Sequence, residues 1–97
     1  MKSNEVINIL QTHQEKLAKE FGVKSLQLFG SVARDEATPS SDVDLLVEFN
    51  RPMGYFGLFS LQDYLENLLG CSVDLGTKNS LRPTIKENVM RDLVNVG

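Results

Sequence analysis

The sequence predicts an α/β domain, a mixed sheet of three or four strands with helices packed mostly on one side. Three observations predict it. Residues 41–49 alternate Val43, Leu45, Val47 and Phe49 with Asp42, Asp44, Leu46 and Glu48, the period of a strand. Residues 4–21 place Val6, Ile7, Leu10, Leu17 and Phe21 at helical spacing, and residues 55–69 form a second, broadly apolar helical segment. Short strand-like runs at 25–29 and 71–76 lie between these segments.

The first helix has Ser3 as its expected N-cap and Gly22 as its stop. His13, the one histidine, falls on a partly exposed face of it. Residues 25–29 are the first strand and run directly into Gly30-Ser31. Val32-Ala33-Arg34 opens a helical turn. Thr38-Pro39-Ser40-Ser41 is turn chemistry and returns the chain to the strand of residues 41–49. Arg51-Pro52-Met53-Gly54 breaks the chain again. The helix of residues 55–69 offers Phe56, Phe59, Leu61, Leu65, Leu68 and Leu69. Core packing is the expected use of that surface, its aromatic N-terminal end included; a partner surface is the alternative there. After the strand at 71–76 comes a loop whose Lys78 faces either phosphate or solvent. Pro83 suits the first position of a closing helix over 83–92. Residues 93–96 are a last short strand or a tail.

Ninety-seven residues bound one domain, 1–97, near the small end of self-sufficient cores. The apolar fraction of 41% is that of a globular chain. No run approaches the roughly 18 apolar residues of a membrane span, and the N-terminus lacks the pattern of a signal peptide. The lone Cys71 has no internal disulfide partner and reads as a small core residue. These features predict a cytoplasmic protein with no membrane partner. A net charge of −3, with basic residues scattered, argues against a nucleic-acid partner.

The chemistry concentrates in one stretch. Gly30-Ser31 is followed by ten residues and then by Asp42-Val43-Asp44. A glycine at a strand end lets backbone N–H groups approach an anion. Ser31 adds a hydroxyl, and a helical turn adds further N–H groups. On a strand, Asp42 and Asp44 project to one face. Paired carboxylates raise each other's pKa unless a cation sits between them, and such oxygens suit Mg²⁺ together with substrate phosphates. Two-metal displacement at phosphorus, with ions roughly 3.5–4 Å apart, calls for a further carboxylate. Asp74, in the strand at 71–76, is the candidate for that ligand and for the base that takes a hydroxyl proton. Arg34 either neutralises phosphate or faces the adjacent acids Asp35 and Glu36.

Phe29-Gly30-Ser31-Val32-Ala33-Arg34, Ser41-Asp42-Val43-Asp44-Leu45-Leu46-Val47 and Ser72-Val73-Asp74-Leu75 resemble the DNA polymerase β-like nucleotidyltransferases. The chain is most similar to their minimal branch, the MNT antitoxins of HEPN/MNT toxin–antitoxin pairs. The resemblance implies transfer of AMP from ATP to a tyrosine of a cognate HEPN ribonuclease toxin, within a hetero-oligomer, with Mg²⁺ (two ions) as cofactor. It makes Asp42, Asp44 and Asp74 the catalytic metal ligands, and Gly30, Ser31 and Arg34 the nucleotide site. Asp35 stands where many of that family carry Gly, and is expected to point outward. Two alternatives stay open: an antitoxin that neutralises by binding alone, and an aminoglycoside-type transferase acting on a small molecule. The shortness of the chain favours a protein acceptor whose binding replaces an acceptor pocket.

Overall fold

In the computed structural model, residues 2–36, 38, 41–77 and 93–96 are described. Among these residues eight elements follow in order: α1 (Ser3–Thr12), α2 (Gln14–Phe21), β1 (Val23–Phe29), α3 (Gly30–Ala33), β2 (Val43–Phe49), α4 (Gly54–Leu69), β3 (Val73–Gly76) and β4 (Val94–Asn95). The strands form one sheet in the order β3-β2-β1-β4. β1 runs antiparallel to both β2 and β4, while β2 and β3 are parallel. The sheet is therefore mixed, as expected. The closing helix over 83–92, Lys78 and the Pro39-Ser40 turn lie outside the described residues.

One core joins the helices to the sheet. Val6, Leu10 and Leu17 from α1 and α2, with Leu61, Leu65 and Leu69 from α4, pack on Leu26, Leu28, Val43, Leu45, Val47 and Val73. Phe21 of α2 and Tyr64 of α4 add a tilted ring pair with centroids 4.8 Å apart. The period of two in β2 sends Val43, Leu45 and Val47 into this core and leaves Asp44 on the other face. The last strand is tied down from two sides. Val96 N–H donates to Leu26 at 3.1 Å, and Gln11 Nε2 donates to the Val96 carbonyl at 2.6 Å.

Three sequence expectations change. The single helix over 4–21 is two helices broken at His13 (φ −104, ψ 11). Side chains compete there for the carbonyls of the preceding turn: Thr12 Oγ1 donates to the Asn8 carbonyl at 2.8 Å, and His13 Nδ1 lies 2.9 Å from the Ile9 carbonyl. Ser3 is the first helical residue and Lys2 the N-cap, with no side-chain cap bond. Finally, Tyr55, Phe56 and Phe59 are 80%, 88% and 61% exposed. The aromatic end of α4 is therefore surface, and only Leu61, Leu65 and Leu69 are its buried residues. Gly22 behaves as expected, closing α2 in the left-handed conformation.

Candidate active site

β1 ends at Phe29 in extended backbone (φ −143, ψ −177). Gly30 then takes φ +77, a value that L side chains rarely adopt. Space restricts the position as well. A Cβ on Gly30 would collide with Asp44 Oδ2 and stand 3.0 Å from Asp44 Cγ. The Gly30 backbone thus lies directly against the Asp44 carboxyl. Ser31, half-buried, is the second residue of α3. Helical N–H groups of a first turn have no intrahelical acceptor, so the expected helical turn forms where an anion would meet it.

Asp44 is the second residue of β2. It pairs across to Phe29 of β1 and, in parallel register, to Asp74 of β3. The two carboxyls therefore leave the same sheet face on neighbouring strands, the juxtaposition expected of Asp74. Asp42 departs from expectation in one respect: it lies one residue before β2 begins and is exposed. Its charge still acts on the site. The Asp44 carboxyl is pushed up to about 6, first by burial, then by the charge of Asp74, then by that of Asp42, and a hydrogen bond with Asp74 adds to the shift. Arg34 opposes the shift, and its Nε also lies 3.1 Å from Glu36 Oε2. Arg34 therefore faces an acid, and its positive charge also acts on Asp44.

This donor set fits magnesium. Its candidate ligand atoms are all hard oxygens, and the charges of Asp74 and Asp42 act on Asp44 against that of Arg34, which also pairs with Glu36. Among the described residues no group of three His, Cys, Asp or Glu side chains closes into a cation site by itself. A magnesium site completed by substrate phosphates and water does not need one.

Asp35 points away from this cluster and has a separate task. It takes φ +57, the one non-glycine positive φ among the described residues. Its Oδ1 accepts the Ser3 N–H at 2.8 Å and its Oδ2 accepts the Ser3 hydroxyl at 3.2 Å. The Ser3 backbone bond holds the Asp35 carboxyl below its ordinary value. Asp35 thus caps α1 from a distant loop and ties the exit of α3 to the N-terminus. Replacement by Gly keeps the dihedral and loses the tie, whereas Ala loses both. Thermal unfolding should therefore rank Asp35→Asn nearest wild type, then Asp35→Gly, then Asp35→Ala. Sequence reading also passed over Gln62 and Glu66, a polar pair one turn apart that reaches β3; that spacing on α4 was the available signal.

A glycine-serine turn against a carboxylate, with a second carboxylate in register on the next strand of a small mixed sheet, is the architecture of a nucleotidyltransferase. Residues 10–96 match the family model described as nucleotidyltransferase domain, and the chain belongs to that family. It is 42% identical over 92 residues to protein adenylyltransferase MntA of Thermococcus cleftensis, covering 95% of this chain and 93% of that one. A solved structure described as a candidate minimal nucleotidyltransferase superposes with a TM-score of 0.74 at 34% identity, over 97% of this chain and 95% of that one. A chain of the tri-AMPylated Shewanella oneidensis HEPN toxin in complex with MNT antitoxin gives 0.65 at 18% identity, over 94% and 71%; this last likeness is one of fold. The chain is thus a homologue of the MntA protein adenylyltransferases.

Proposed function

We propose that this chain, as one domain over residues 1–97, is a magnesium-dependent antitoxin. It transfers AMP from ATP to a tyrosine of a HEPN ribonuclease partner and so silences it. The observation that supports this most directly is the parallel register of Asp44 with Asp74, beside the turn at Gly30. The 42% identity to protein adenylyltransferase MntA supports the transferred group and a protein acceptor. The exposed aromatic end of α4 supports a protein partner. Among the described residues no helix is long and apolar enough to cross a membrane, and ATP as substrate suits a cytoplasmic location.

Asp42, Asp44 and Asp74 are the residues that would hold magnesium, and the ion supplies charge neutralisation for the triphosphate when bound. Backbone N–H groups at Gly30 and Ser31 bind the phosphates, and Arg34 adds positive charge. Asp74 takes the proton from the tyrosine hydroxyl. The tyrosine oxygen bonds to the α-phosphorus as the bond from that phosphorus to its bridging oxygen breaks, and pyrophosphate leaves with the electron pair. The bound partner supplies the acceptor's position.

The test combines the protein, ATP, Mg²⁺ and the cognate helical partner, with the partner's mass read by mass spectrometry. An AMP adduct that disappears with EDTA and returns with added Mg²⁺ is expected. A wild-type protein that leaves no adduct, matching the Asp42→Ala, Asp44→Ala double variant, would falsify transfer. Full neutralisation of the partner by that double variant would instead establish binding alone.

A further inference from the structure

Among the described residues β3 is the outer strand of the sheet, with one side against β2. An edge strand presents a row of backbone groups without a sheet partner, and burying them unpaired is unfavourable. Val73 opens β3 and is 3% exposed. Its outward-facing backbone is met by two side chains of α4. The Val73 N–H donates to Glu66 Oε2 at 3.0 Å, and Gln62 Nε2 donates to the Val73 carbonyl at 2.9 Å. Gln62 and Glu66 are neighbours on one face of the helix. From the other side, Val43 N–H donates to the Ser72 carbonyl at 3.0 Å and ties the same stretch to β2.

Asp74 is the next residue, and its side chain leaves the opposite face from Val73. A slip of β3 by one position would send Asp74 toward the helices and break its register with Asp44. A four-residue edge strand has little ladder of its own to resist that slip. α4, by contrast, is anchored in the core through Leu61, Leu65 and Leu69. We propose that Gln62 and Glu66 are positioning residues. By clamping both backbone groups of Val73, they hold Asp74 at the height where it faces Asp44 and the acceptor hydroxyl. This rests on the role proposed above for Asp74.

The experiment measures AMP transfer to the cognate partner at varied ATP, with amide hydrogen exchange recorded by NMR. Glu66→Ala should lower kcat about 10- to 100-fold and leave KM for ATP unchanged. Glu66→Gln retains an acceptor oxygen for the Val73 N–H and should recover kcat. In an Asp74→Ala background, Glu66→Ala should add no further loss, because the two act as one unit. The Val73 amide should be protected in wild type and in Glu66→Gln, and exchange freely in Glu66→Ala. Should Glu66→Ala not fold, Gln62→Leu carries the same kinetic expectation. Free exchange of the wild-type Val73 amide overturns the clamp with no variant needed. Wild-type kcat in Glu66→Ala overturns it too, as does a loss of equal size with and without Asp74. Absence of transfer by the wild type counts against the function proposed above, and exchange at Val73 then decides the clamp.

Discussion

Asp44→Asn is expected to lower AMP transfer steeply and, at neutral pH without added metal, to stabilise the fold. The two effects share one cause. Asp44 is held between Asp74 and Asp42 in a partly buried position against Gly30. Its ionised form is useful to a cation and unfavourable to the empty fold. Neutral Asn keeps the shape and removes the repulsion. It also removes a hard anionic ligand, and the expected loss in kcat is on the order of 10³-fold, the scale of losing a main electrostatic group. The gain in stability is about 1 kcal/mol after allowance for solvent screening of a partly exposed group. For a domain of this size that raises Tm by about 4–8 °C.

The pH dependence separates this account from a packing effect. The folded chain keeps the Asp44 proton up to about pH 6, against 3.8 for the ordinary carboxyl. Between those values the folded state binds more protons than the unfolded one. The contribution of Asp44 to stability is therefore fully present below about 3.8 and is lost as pH rises through about 6. The advantage of Asp44→Asn should be largest above pH 6 and vanish by pH 4. Calorimetric scans of both proteins across that window, in EDTA, measure it. An advantage that stays constant from pH 4 to pH 8 would assign the effect to packing.

The parts of this site that depend on local rules were legible from sequence. Alternation at Val43, Leu45 and Val47 placed β2 and the face of Asp44. Glycine ahead of Ser31 marked a close backbone approach at the strand end, and the structure gives it a positive φ beside Asp44. Asp74 was singled out because the chemistry calls for a further carboxylate and a strand was read at 71–76, and it pairs with Asp44. What escaped reading depends on groups distant in the chain or on competition between near-equal bonds. Asp35 caps a helix 32 residues upstream, so no local pattern declares it. The break at His13 depends on two side chains taking carbonyls from the helix, although the apolar stripe runs through it. Phe56 and Phe59 lie off the 3.6-residue stripe of Leu61, Leu65 and Leu69 and are exposed together with Tyr55, because an apolar surface wider than one stripe does not state which part of it the sheet covers.

Gly30→Ala should be the second large loss, and it tests whether the phosphate turn and the carboxylate are one structure. Alanine at φ +77 costs about 1–2 kcal/mol in backbone strain alone. Its Cβ also drives against the Asp44 carboxyl, so Asp44 or the start of α3 must move. A displacement near 1 Å at such a site costs about 10²-fold in rate. Unlike Asp44→Asn, this substitution should lower Tm, by about 4–8 °C for each kcal/mol lost. Shortening the opposing side chain isolates the contact. In an Asp44→Ala background the carboxyl is gone, and what persists is the dihedral strain and a 3.3 Å approach to the Cβ of residue 44. Gly30→Ala should therefore lower Tm less there than in the wild-type background, a coupling that a double-mutant cycle measures directly. Equal losses in the two backgrounds would mean that Gly30 is required for its dihedral only, and that the turn and Asp44 are built independently.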